Sequence, residues 1–320
     1  MLKSSRVGAI VLALLYAAVC AQTYPVKPVR VIVPFPPGAG VDIVARTVLP
    51  RLGEALGQQF IVDNRAGAAG NLGAEVAAHA PADGYTLLFT PASVASSQAL
   101  YPKLGYNLVK DLEPISMVAA AAFVLVVHPS LPVKSVKDLI AMAKTKPGQL
   151  LYASTGNGGS PHLATEMFKQ QANIDITHIP YKGTPPAVTD LIAGQVSMMF
   201  ANTLSVLPYV NAGRLRALAI SSIKRSAAAP SLPTIAESGM PGFDSVTWFG
   251  LLAPTGVPRE AINRLNPELR RIVQSKALAD LLIAQGADPI GSSAEEFAAR
   301  IKADIAKFTV LIKTAGVRAE

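Results

Sequence analysis

The chain has a single cysteine, Cys20, among 320 residues, and it sits inside an N-terminal segment that reads as an export leader. Once that leader is removed the remainder has no disulfide and no thiol chemistry, which suits an exported protein whose core holds without staples. Aromatic residues make up 6% and are not interleaved with basic runs, which excludes groove-tracking or base-stacking on nucleic acid. There are four histidines (His79, His128, His162 and His178), no two spaced as a pair on one helix face, so no zinc site and no other metal or cofactor is expected. Walker A and Gly-x-Ser-x-Gly patterns are missing. The dinucleotide fingerprint fails as well, because Ile43 stands where its third glycine belongs after Gly38 and Gly40. No heptads, low-complexity tail or fixed-period repeat occur.

Long apolar runs are also scarce. Residues 7–19 form one of 13, short of the roughly 20 needed to span a bilayer, and it follows Lys3 and Arg6 and precedes small residues, as in a secretory signal. Cleavage after Ala21 would start the mature protein near Gln22 and place it in the periplasm. Cys20 as a lipoprotein anchor is disfavoured, because Val19 occupies a position where a smaller residue is usual. Removing Lys3 and Arg6 from the 29 basic residues leaves 27 against 21 acidic ones. That surplus is scattered, with adjacent basic pairs only at Lys224-Arg225 and Arg270-Arg271, so it carries little information about a ligand.

The length exceeds the roughly 250–300 residues at which single cores stop growing, so two lobes are the default. The patterns alternate as in an α/β protein. A β-branched strand at 29–35 precedes helical periodicity at 43–56, a strand at 59–62, a helix at 72–79 and a strand at 85–90. A second series has strands at 150–153, 176–179 and 196–200, with helices at 163–171 and 186–193. Each βαβαβ series makes a mainly parallel sheet flanked by helices. Strands at 115–128 and 246–253 are placed to cross between the lobes as a hinge. The expected division is a leader over 1–21, a discontinuous first lobe of 22–123 plus 247–320, and a second lobe of 124–246.

The same local pattern occurs once in each lobe. PFPPGAGVD (34–42) and ASTGNGGSPH (153–162) each run from a strand through a glycine-rich turn into a helix N-terminus. Glycine allows positive φ and close backbone approach, and the free N–H groups at a helix start favour an anion. Asp42 reads either as a first-turn acid or as a group receiving a ligand amine or hydroxyl. Ser160-Pro161 reads as an N-cap followed by proline at the first helical position. His162 is either a structural residue or a ligand contact. A Ser/His/Asp hydrolase is not ruled out by sequence, since such groups meet in space, yet nothing points to one.

The stretches YPVKPVRVIVPFPPGAGVD, VDNRAGAAGNLGAEVAA, PADGYTLLF, LLYASTGNGGSPHLATEMF, HIPYKGTPPAVTDLIAGQVSMMFAN and LPTIAESGMPGFDSVTWFGLLAPTGVP together resemble the tripartite tricarboxylate transporter substrate-binding receptors, also called the Bug family, from about Tyr24 to the C-terminus. The resemblance implies a two-lobed periplasmic-binding-protein (Venus flytrap) fold. It also implies a non-enzymatic role: monomeric capture of a small organic carboxylate and its delivery to a two-component membrane permease, or alternatively its report to a membrane sensor. Ligand contacts carried over from the family are Phe35, Pro37, Gly38, Ala39, Asp42 and Ser93 from the first lobe, and Ser154, Thr155, Ser160, His162 and Asn202 from the second. Ala39 departs from a usual glycine and Ala201 from a frequent acid, the latter favouring anionic ligands over amines.

Overall fold

The computed structural model describes residues 24–226 and 229–317. The expected leader, Cys20 and the cleavage position after Ala21 lie outside the described residues.

A mixed ten-stranded sheet with the order β2-β1-β3-β9-β4-β7-β5-β6 forms the frame. Its first half starts from β1 (Val29–Val33), whose VRVIV sequence is buried on both faces, as a central parallel strand requires. β1 pairs in parallel with β2 (Phe60–Asn64) and β3 (Thr86–Pro91). The connecting helices are α1 (Gly40–Leu56) and α2 (Asn71–Ala78), and α3 (Ser93–Leu100) follows β3 directly. The second half repeats the plan. β5 (Leu151–Ser154) pairs in parallel with β6 (Thr177–Pro180) and β7 (Met198–Asn202). Around it lie α4 (Val136–Thr145), α5 (Ser160–Ala172), α6 (Thr184–Ile192) and α7 (Thr203–Asn211).

What joins the halves is β4 (Leu112–Val127), 16 residues that run unbroken from one to the other. Its first part pairs antiparallel with β9 (Val246–Pro254), and its last part with β7 and with β8 (Arg216–Ile220). β9 begins where β4 changes partners, with Val246 opposite Ala122 and Asn202 opposite Phe123. The two sequence-expected hinge strands therefore lie side by side in opposite directions. The parallel cores of both halves are as expected from the βαβαβ series, and the antiparallel pairs are confined to the strands that connect them.

Apolar clusters cover both faces of each half. In the first, α1 packs on one face with α8 (Arg259–Val273) and α9 (Lys276–Gln285), while α10 (Ala294–Ala315) covers the other. The short β10 (Asp288–Pro289) adds to the β4 edge. On the α10 side the Trp248 indole donates to Asp304 at 2.7 Å and meets Phe297 edge-on at 4.9 Å, so the buried N–H keeps a partner while the ring fills the core. The second half has its own clusters, with Phe168, Phe200 and Phe243 in mutual contact on one face.

Candidate functional site

The two glycine loops are built on one device. In the first, Gly38 takes φ 81° and donates its N–H to Asp42 Oδ2 at 3.0 Å. In the second, Gly158 takes φ 71° and donates its N–H to His162 Nδ1 at 3.0 Å. Asp42 and His162 are each the third residue of their helix, reaching back to the glycine four positions earlier. Both are therefore loop locks and neither lines the cavity between the halves, which corrects the expected ligand contacts.

The lock on each side is itself held. Asp42 Oδ1 accepts from Arg46 Nε and from Asn64 Nδ2, both at 2.9 Å, and the same Asn64 amide donates to Phe35 O. The His162 ring stacks on His178 with centroids 4.0 Å apart and planes 10° from parallel. Burial first, then His178 and Lys169, push its pKa down to about 3, so the ring is neutral at neutral pH and Nδ1 is free to accept. Ser154 also faces away from the cavity. Its hydroxyl meets His178 Nε2 at 2.5 Å and accepts the Gly156 N–H. Pro37 and Gly38 shape the first loop without lining the space.

The cavity itself holds about 330 Å³ of empty space between the halves. The remaining expected residues, Phe35, Ala39, Ser93, Thr155, Ser160 and Asn202, are all on its wall. They are joined by Gly40, Val41, Pro91, Phe123, Pro161, Thr184, Thr247 and Phe249, which the sequence reading did not single out. Thr184 had a signal that was available: YKGTPP is a third strand, glycine and helix-start sequence. Thr247 and Phe249 had none, because nothing in a buried strand's sequence says which of its faces meets the cavity.

Five helices begin at this wall: α1 at Gly40, α3 at Ser93, α5 at Ser160, α6 at Thr184 and α7, whose N-cap is Asn202. Their first amides have no intrahelical acceptor, and each helix start carries about half a positive charge. No lining residue is charged. Ser160 differs from expectation: Gly159 is the N-cap, Ser160 and Pro161 are the first two helical residues, and the hydroxyl makes no cap bond. Together with Ser93 Oγ and Asn202 Oδ1, Ser160 Oγ is one of three cavity-wall side-chain atoms that are buried without a hydrogen-bond partner. Buried polar atoms are normally satisfied, so three orphans around one space mark where an absent partner sits.

The halves are closed on each other. The Ser96 hydroxyl donates to Gly158 O at 2.5 Å, and Pro36 lies so close to Gly183 that an added Cβ there would come within 2.6 Å of the proline ring. Among the described residues no group of three His, Cys, Asp or Glu could hold a metal ion, and no helix is long and apolar enough to cross a membrane.

Comparison with known proteins agrees with this geometry. The chain is 40% identical over 304 residues to Protein BugT of Bordetella pertussis, covering 94% of this chain and 93% of that one. An R. palustris protein solved with adipate superposes with a TM-score of 0.90 at 37% identity, over 92% of this chain and 99% of the other. MatC from Rhodopseudomonas palustris, with bound malate, gives 0.85 at 29% identity over 90% and 100%. The family model described as tripartite tricarboxylate transporter family receptor matches residues 44–317, and the chain belongs to that family of two-lobed receptors.

Proposed function

We propose that the protein is a periplasmic receptor that closes around a small organic carboxylate and, as a monomer, presents it to a two-component membrane permease. The observation that carries this reading is the convergence of five helix N-termini on a cavity whose wall has no charged side chain. Each terminus stabilises an anion by roughly 0.3–2 kcal/mol depending on exposure, and donors face the space from both halves. No acid is present on the wall to pair with an ammonium group, so α-amino acids are disfavoured against plain carboxylates. The relatives solved with adipate and malate support the same ligand class.

On this reading the lobes are 22–123 plus 247–320 and 124–246, and they turn about the residues where β4 changes partners. Capture is a population shift, since a ligand bridging both walls binds the closed form alone. Catalysis has no support. The close Ser154–His178 pair is the nearest thing to a nucleophile and base, and Ser154 is fully buried and points away from the cavity. The test is calorimetric titration against a panel of mono-, di- and tricarboxylates, their amides, and amino acids. Binding of at least one carboxylate, with its amide rejected, is expected. Equal binding of acid and amide, or binding of no carboxylate, would refute the reading.

A further inference from the structure

A second space lies between the halves behind the hinge. It encloses about 370 Å³ and is lined from the second half by Ser160, Leu163 and Met167 of α5, and from the first by Arg300, Lys307 and Phe308 of α10. Ser245 and Val246 close it where β9 begins. Strand geometry relates this crevice to the carboxylate cavity. Successive side chains of a strand point to opposite faces, and in β9 Thr247 and Phe249 face the cavity, whereas Val246 faces the crevice and Trp248 packs against Phe297 of α10. The two spaces therefore sit on opposite sides of the strand about which the lobes turn. A rotation that opens the front narrows the rear.

The rear contact is an apolar interface. Leu163 belongs to α5 in the second half, yet it is 1% exposed and its cluster is the first-half core of Trp248, Phe297, Phe308 and Ile312. Met167, one turn further along α5, and Lys307 on α10 border the crevice without filling it.

Building on the carboxylate-capture reading, we infer that the α5–α10 crevice sets ligand affinity from behind the hinge, with Met167 and Lys307 as positioning residues that act on closure without touching ligand. In the closed form the crevice has room for a larger side chain. In an open form the same side chain is squeezed between α5 and α10. Enlarging either residue therefore raises the free energy of the open state and leaves the ligand wall unchanged. Apparent affinity scales with the fraction of closed protein before ligand arrives, so the gain is limited only by how rare that fraction is in the native chain.

The test uses Met167→Trp and Lys307→Trp, one from each lobe and neither fully buried. Cys20 is the only cysteine, so a Cys20→Ser background accepts pairs of spin labels cleanly. Labels at Leu72→Cys and Lys182→Cys report the front, and labels at Gln170→Cys and Ala303→Cys the rear. In ligand-free protein both tryptophan variants should shift the front distance toward its shorter population. Titration with adipate as probe should then show binding about tenfold tighter, with the rank order among carboxylates unchanged. A folded variant whose ligand-free front distance is unchanged or longer would overturn the inference. If a tryptophan variant fails to fold, the native side chains decide: the rear distance must lengthen as the front shortens on saturation with adipate, and a rear distance that stays or shortens overturns the inference. Failure of the carboxylate reading looks different, because no carboxylate in the panel then gives heat, while the ligand-free distances of the tryptophan variants still judge the hinge.

Discussion

Asp42→Asn is the sharpest test of the loop-lock geometry, because the change is isosteric and the surroundings are all donors. The carboxylate accepts from Gly38 N, from Arg46 Nε through both oxygens, and from Asn64 Nδ2. An amide has one acceptor oxygen and one NH2 group. Whichever way it is placed, the NH2 faces either Gly38 and Arg46 or Arg46 and Asn64, so at least one donor loses its acceptor. Asp42 is 2% exposed, and water does not replace what is lost. A stranded buried donor costs about 1–3 kcal/mol, and the charge-assisted bonds to Arg46 add a similar amount, so a loss of roughly 2–4 kcal/mol is expected. For a chain of this size about 2 °C accompanies each kcal/mol, giving a fall of about 4–8 °C in the first-lobe transition of ligand-free protein, measured by scanning calorimetry. Ligand binding should weaken with it, since the first loop carries Phe35 and Ala39 of the wall. A variant with native Tm and lost binding would refute the argument and make Asp42 a direct ligand contact.

Ser160→Ala should leave Tm unchanged, because its hydroxyl has no protein partner, while weakening carboxylate binding about threefold to tenfold by titration calorimetry. Asn202→Asp sets a negative charge on the cavity wall and should reduce carboxylate affinity by at least about a hundredfold, while the variant stays folded by circular dichroism. Gly183→Ala meets Pro36 and strains a backbone at φ 120°, so the lobes should close poorly and affinity should fall, with small-angle scattering showing a larger particle in saturating ligand. His162 binds its proton more weakly folded, at about 3, than unfolded, at about 6.5. The stability it contributes is therefore fully present above about pH 6.5 and is lost as pH falls toward 3, with a limiting slope of ~1.4 kcal/mol per pH unit. The acid limb of a Tm–pH curve should flatten in His162→Gln, and an unchanged limb would contradict the assignment.

The halves were legible because each is a run of strand and helix patterns with the right period, and because glycine loops announce strand-to-helix turns. Six of the eleven expected site residues line the cavity. The five that do not are instructive. Asp42 and His162 were weighed between structural and ligand roles, and the deciding fact was the direction of a side chain in the first helical turn, which a sequence does not encode. Ser160 was expected as a cap because serine before proline suits that position, yet Gly159 takes the cap and leaves the hydroxyl free. The antiparallel run of β9 along β4 was beyond periodicity, since two apolar strands far apart in sequence carry no mark of their relative direction.

The wall without ionisable side chains has a further consequence. Its grip on an anion is written into the course of the backbone, so it neither titrates near neutral pH nor disappears when one residue is exchanged. Anchoring and selectivity are thereby separable: Ser93, Thr184, Asn202 and the three phenylalanines of the wall are free to be traded for other shapes while the carboxylate keeps its hold. A receptor made this way is retuned to a new acid by repainting its lining, with its frame left as it stands.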